Sequence, residues 1–296
     1  MTRHWTPARL GDVTGKRIIV TGATNGVGLG TARALTRAGA HVIMAVRNTK
    51  LGAQRAKEIG GSTSIAKVDL ADLSSVRAFA DALDGDVDIL INNAGGLTQQ
   101  REETVDGFEK QIGQNMLGPF ALTNLVFPRV RSKIITVGSH AHRTAELRLD
   151  DMHLRTGKWT SMGAYRRSKL AVMLWGLELD RRLRAANSPV VSQLTHPGWV
   201  ASNISSISDK PVLAAADKVV RKVATVVAND IDAGAASTLY CISEPIPPGS
   251  YIGYDGPFGL SGPLVMLGRT ALAGDYEAAA EVFAFAEKET GTTLPV

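Results

Sequence analysis

What the chain lacks narrows it first. Its 296 residues hold one cysteine, Cys241, which excludes an intrachain disulfide and any Cys-rich zinc site. A reducing compartment, or one where redox state is irrelevant, fits that usage. No uninterrupted apolar run approaches the ~18 residues of a spanning helix. The fairly apolar stretch 257–274 is broken by Gly259, Gly262, Pro263, Gly268 and Arg269 and reads as loop and short helix covering a pocket. Residues 1–16 carry Arg3, His4, Arg9 and Asp12 without the apolar core of a leader, so a cytoplasmic location is expected. His140, His142, His153 and His196 have no zinc-ligand spacing, and no metal is predicted. There is no low-complexity tract, and a mean hydropathy of +0.01 argues against disorder. The net charge of +5 permits an anionic ligand without demanding nucleic acid. The Lys and Arg residues are scattered, so no nucleic-acid partner is expected.

What is present alternates. Short β-branched runs at 16–21, 41–46, 63–68, 86–91, 133–137 and 190–194 read as strands, with a last strand at 250–254. Helical spacing fills the gaps at 26–38, 50–59, 74–83, 104–127, 162–184 and 232–242. Near-continuous apolar strands alternating with helices indicate a parallel sheet buried on both faces. Right-handed crossovers then give an α/β fold, a doubly wound, mostly parallel sheet of Rossmann type in three α/β/α layers. The length is compatible with two domains of ~150 residues. No Pro-, Gly- or Ser-rich linker interrupts the alternation before residue 196, so a single domain is predicted, with a substrate-covering region at about 202–230 and a C-terminal cover at about 255–296.

The first strand runs into a glycine loop, TGATNGVG at 21–28, and then a helix. Gly22 can turn tightly, while Gly26 and Gly28 let a pyrophosphate approach the backbone and the helix approach the sheet. The helix start offers unpaired N–H groups and a positive dipole end. A purely structural turn is the alternative. At the end of the second strand stands Arg47, where a NAD site usually has Asp or Glu. A guanidinium can bind a 2′-phosphate, which a carboxylate repels. Arg47 therefore favours NADP(H) over NAD(H), the alternative being a solvent-facing strand-end arginine.

Tyr165 and Lys169 stand four residues apart in a predicted helix, on one face. A phenol with pKa about 10 is a poor acid–base catalyst at neutral pH. Lowering it by about three units takes about 4 kcal/mol, which a nearby ammonium and a cationic nicotinamide in a dry site can supply. Taken alone, the pair reads equally as a surface pair. Ser139 follows the fifth strand at the carboxyl edge of the sheet, where open α/β sheets bind ligands, and can hold a substrate oxygen; otherwise it is a turn serine. Asn92-Asn93-Ala94-Gly95 ends the fourth strand on the same edge. Asn115 interrupts a helical pattern, where it can hold a kink and a water, or simply face solvent.

With these residues in order, the sequence resembles the short-chain dehydrogenase/reductase superfamily. The matches are TGATNGVG, Asp69-Leu70, NNAG at 92–95, Asn115, Ser139, YRRSK at 165–169 and Pro197-Gly198, covering 16 to about 203. The finer texture is similar to the retinol-dehydrogenase-like branch, in VGSHAHR at 137–143, SKLAVMLWGLELDRRL at 168–183, HPGWVASNI at 196–204 and AGAASTLY at 233–240. The resemblance implies an oxidoreductase interconverting an alcohol and a carbonyl. Tyr165 would exchange the proton, Lys169 would lower its pKa and bond the nicotinamide ribose, Ser139 would orient the substrate, and Asn115 would anchor a relay water. The loop residues Gly22, Thr24, Asn25, Gly26, Val27 and Gly28 would cradle the pyrophosphate. Asp69 and Leu70 would flank the adenine, Asn92, Ala94 and Gly95 the ribose, and Pro197, Gly198 and Val200 the nicotinamide side. Gly138, Gly96 and Ser202 depart from the common pattern without removing a catalytic group.

On the substrate side, Trp199 is a candidate pocket wall. The amphipathic basic stretch near 210–228 reads as a mobile lid, or as a contact with anionic membrane. Its apolar residues hint at an oily alcohol or carbonyl substrate. A nucleotide-sensing module acting through a protein partner is the competing reading, against which the proton-shuttling set argues. A homo-oligomer is allowed.

Overall fold

The computed structural model describes residues 5–198, 231–259 and 261–296. The β-branched runs form β1 (Arg17–Thr21), β2 (His41–Val46), β3 (Thr63–Lys67), β4 (Val87–Asn92), β5 (Val130–Val137), β6 (Val191–Thr195) and β7 (Tyr251–Tyr254). A short β8 (Leu264–Met266) adds to β7 antiparallel, and every other pair is parallel. The order is β3-β2-β1-β4-β5-β6-β7-β8. It reverses direction between β1 and β4, the switch point at which a crevice opens in doubly wound sheets.

One face of the sheet is covered by α1 (Gly26–Arg37), α2 (Thr49–Ile59) and α7 (Ile231–Ser243), through a core that includes Leu35, Val42 and Leu239. The other face carries α3 (Leu73–Ala82), α4 (Lys110–Ile112), α5 (Gly118–Val126), α6 (Ser161–Ala185) and α8 (Tyr276–Thr290), packed around Phe120, Trp175 and Phe283. Helix starts follow local chemistry. Asn48, Asp72, Thr160 and Asp275 each accept backbone N–H bonds at the N-caps of α2, α3, α6 and α8. Asn25, at the N-cap of α1, makes no such bond.

Three elements differ from the sequence-based reading. The helix predicted over 104–127 starts only at Lys110. Before it, 103–109 reverse tightly, with Gly107 at φ +81° and a bridge between Glu103 and Glu109. Its middle, Gly113–Leu117, is a π-helical turn. β5 begins at Val130, because pairing with Val87 recruits residues ahead of the β-branched run. The C-terminal segment contains an element that the reading did not assign. Tyr276–Thr290 is a full helix of the layer, its Phe283 ring 4.9 Å from Phe120. Trp175 is fully buried, as a packing residue should be. Among the described residues no helix is long and apolar enough to cross a membrane.

Candidate active site

The site is assembled from loops at the carboxyl ends of β1 to β6. Gly22, at φ +68°, turns the chain out of β1. The loop is then laced to the end of β4. Asn93 N–H and Ala94 N–H both donate to Thr21 Oγ1 at 2.9 Å, and Asn93 Nδ2 donates to Thr21 O at 2.8 Å. Gly28 serves this lacing. A Cβ there would collide with Asn93 Nδ2 and lie 2.5 Å from Gly22 O. Its missing side chain therefore makes room for the helix against the strand ends.

Beside the loop lies a cleft of about 360 Å³. Gly22, Thr24 and Asn25 line one wall, Arg47 the end of β2, Asp69 and Leu70 the end of β3, and Ala94 and Gly95 the end of β4. Gln114 also lines it, a residue that nothing in the sequence singles out. Gly26 and Val27 form the first turn of α1 just beyond. Arg47 is exposed, with no ion pair or hydrogen bond among the described residues holding its guanidinium. Asn92 is a correction. Its side chain points inward, 3% exposed, and Nδ2 donates to Thr123 Oγ1 at 2.8 Å. The lacing asparagine is its neighbour Asn93, because alternation along β4 turns successive side chains to opposite faces.

On the other side of Gly95 the catalytic candidates converge. Lys169 is buried on α6, and its Nζ donates to Val137 O at 2.9 Å. Burial pulls its pKa down to about 8. Its Nζ sits 5.9 Å from the centre of the Tyr165 ring. Tyr165 is half-buried and hydrogen-bonded to Ser139. Loss of hydration raises the phenol pKa, and the Ser139 bond opposes the rise. In the chain alone burial raises the phenol pKa rather than lowering it, whereas the sequence-based expectation of an acidic phenol joined Lys169 to a bound nicotinamide.

Ser139 caps a short 3-10 turn, its Oγ accepting from Ala141 N–H at 3.2 Å. Asn115 occupies the π turn, 2% exposed. Its Oδ1 accepts from Gly96 N–H at 2.8 Å, and its Nδ2 donates to Gly96 O at 2.9 Å and Ser168 Oγ at 3.0 Å. Ser168 Oγ donates in turn to Tyr165 O at 2.9 Å. The side chain of Asn115 therefore clamps the Gly96 loop to α6, with both Nδ2 hydrogens used and a second lone pair left on Oδ1.

Pro197 and Gly198 follow β6, with Gly198 at φ +72° and its N–H donating to His196 Nδ1 at 3.2 Å. His196 Nε2 bonds Gly259 O at 2.8 Å, and burial holds its pKa down at about 4. His196 is a second site-edge residue that sequence reading passed over, since a lone histidine was weighed only as a metal ligand. Trp199, Val200 and the predicted cover at about 202–230 lie outside the described residues.

The cleft fits a dinucleotide. It offers the uncapped start of α1 for phosphates, a cation at its outer end, and a Gly95 whose added Cβ would crowd Asn115 Oδ1 at 3.2 Å and Lys169 Nζ at 3.4 Å. Fold and site together define a dinucleotide-binding α/β oxidoreductase scaffold. The short chain dehydrogenase family matches residues 16–211, and the chain belongs to that family, in its retinol-dehydrogenase-like branch.

Human retinol dehydrogenase 13 is 41% identical over 198 residues, covering 63% of this chain and 59% of that protein. Mouse polyprenol dehydrogenase is 38% identical over 214 residues, covering 67% of this chain and 64% of that protein. The match thus spans less than two thirds of these relatives' length. An uncharacterized protein from Mycobacterium paratuberculosis superposes with a TM-score of 0.86 at 41% identity, covering 99% of this chain and all of that one. Pseudomonas aeruginosa RhlG, solved as an NADP complex, shares the fold with a TM-score of 0.67 at 24% identity, over 84% of this chain and 98% of its own.

Proposed function

We propose that the chain is an NADP(H)-dependent oxidoreductase that interconverts an apolar alcohol and its carbonyl. The observation that carries this reading is that Ser139, Tyr165 and Lys169 come together beside Gly95, a residue that also lines the cleft shared by the glycine loop, Asp69 and Arg47. Gly22, Thr24, Asn25 and the start of α1 would hold the pyrophosphate, Asp69 and Leu70 the adenine, and Arg47 the 2′-phosphate. A nicotinamide held there would supply or take the hydride.

The residues of the chain handle the oxygen and its proton. Ser139 Oγ accepts the Ala141 N–H, and its own hydrogen, turned to Tyr165 in the chain alone, would swing to a substrate oxygen. Tyr165, kept neutral by burial, is a proton donor in reach of the same place. In reduction its proton passes to the substrate oxygen, and in oxidation it returns. Below about pH 8 Lys169 carries a positive charge behind the ring, which favours the phenolate that donation leaves. The named relatives dehydrogenate retinol and polyprenol, both apolar alcohols, which supports an oily substrate.

The test is turnover of all-trans-retinal and a panel of apolar aldehydes, ketones and alcohols, followed at the nicotinamide absorbance with either nucleotide. Tyr165→Phe should abolish turnover and leave nucleotide affinity within about twofold. Arg47→Asp should cost about 10- to 100-fold in NADPH affinity, the range for a lost charge-assisted hydrogen bond, with NADH little affected. Wild-type rates in Tyr165→Phe would remove the phenol from the chemistry. Equal affinity of the unmodified chain for both nucleotides would remove Arg47 from cofactor choice.

A further inference from the structure

We propose that His142 is the positioning residue for Ser139: its ring N–H grips the Ser139 carbonyl and thereby aims the Ser139 hydroxyl at Tyr165. The inference rests on the oxidoreductase reading above and names a residue that reading does not use. Ser139 lies two residues past the end of β5, just beyond the Gly138 N–H that still bonds Thr195 O at 2.7 Å, in extended backbone at φ −159°. What holds it is His142. Nδ1 lies 2.6 Å from Ser139 O, and the His142 backbone N–H donates to the same oxygen at 3.2 Å. A carbonyl only accepts, so Nδ1 must carry the proton. Ser139 Oγ meanwhile accepts from Ala141 N–H. The carbonyl and the hydroxyl oxygen of Ser139 are therefore both held from the same 3-10 turn, which leaves the hydroxyl hydrogen for Tyr165.

The ring is itself immobilised. It is 1% exposed and packs edge-on to Tyr251 of β7, with centroids 5.7 Å apart and planes at 76°. Burial lowers its pKa, the Ser139 bond opposes this, and the neighbouring His140 and the charges of Arg143 and Arg269 add to the lowering, so the net direction favours a neutral ring. A chain of contacts thus runs from β7 through Tyr251 and His142 to Ser139 and the phenol. The plainer account, in which a buried histidine satisfies its ring on the nearest carbonyl and fills space, requires only a neutral side chain of similar bulk. The two accounts differ in whether the position of the donor matters.

Two variants separate them. His142→Asn keeps an N–H close to the place of Nδ1, and His142→Gln moves it toward the place of Nε2. The first readout needs no substrate: the Cζ resonance of Tyr165 in [13C]tyrosine-labelled protein, assigned with Tyr165→Phe and referenced to Ser139→Ala. His142→Gln should displace the Tyr165 resonance toward its Ser139→Ala position, and His142→Asn should leave it near the native one. The second readout is turnover of all-trans-retinal with NADPH. His142→Gln should lower kcat by about 10²-fold, the scale of a misplacement near 1 Å, with nucleotide KM moving less than about twofold. His142→Asn should restore most of the loss.

Equal resonances in the two variants would overturn the proposal, as would a native Tyr165 resonance in His142→Gln. If the unmodified protein turns over no substrate, the oxidoreductase reading fails while the resonance still decides the role of His142. If a variant fails to fold, [15N]histidine spectra of the unmodified protein decide instead. A ring protonated on Nε2 overturns the assignment, and one protonated on Nδ1 and hydrogen-bonded supports it.

Discussion

Burying Lys169 costs the fold stability for the sake of the site. Depression of its pKa from the usual 10.5 to about 8 corresponds to roughly 3 kcal/mol at neutral pH. Its hydrogen bond to Val137 O returns about 1 kcal/mol. Lys169→Met should therefore be inactive yet more stable by about 2 kcal/mol in urea unfolding at pH 7. The sign with pH follows from proton binding. Between about pH 8 and 10.5 the unfolded chain holds a proton on this lysine that the folded chain has released, so its contribution to stability rises with pH across that window. The advantage of Lys169→Met should shrink over the same range, and a variant less stable than the parent at pH 7 would contradict the assignment. The pairing of Tyr165 with Lys169 was legible because i and i+4 on one helix are neighbours in any fold. The direction of the phenol shift was not, since it depends on which atoms of other elements displace water from the ring.

At the scale of elements, close backbone approach shapes the cleft. Gly118 opens α5, and a Cβ there would run into Leu70 O in a loop that lines the cleft. Gly118→Ala should destabilise the chain by about 1–3 kcal/mol, as overpacking does. Because Leu70 must move, nucleotide binding should weaken in a fluorescence titration, and unchanged affinity would show that the loop absorbs the clash elsewhere. Such approaches leave a bare glycine in the sequence with no sign of its neighbour. The same holds for the π turn at Gly113–Leu117, which a 3.6-residue period reads as ordinary helix. Asn92 and Asn93 show the finer limit. The doubled asparagine marked the right strand end, but the inward or outward sense of each side chain depends on the register of β4 against β1 and β5.

For the whole molecule, the last helix closes the core. Phe283 is fully buried, with Phe120 4.9 Å away and the Arg182 guanidinium 3.9 Å over its ring. Phe283→Ala should cost about 3–5 kcal/mol, read as a lowered denaturation midpoint. A loss below about 1 kcal/mol would mean that α8 packs more loosely than its burial implies. Local spacing was enough to foresee the layered α/β fold and the glycine loop after β1, and motif order placed Ser139, Tyr165 and Lys169 as candidates, because periodicity and order are properties of the chain read in line. Folding alone settled that α8 is a layer helix, that Asn93 rather than Asn92 laces the loops, that Asn115 is a clamp, and that His142 holds Ser139. Each of these turns on which distant surfaces exclude water together, and one-dimensional spacing carries no record of that.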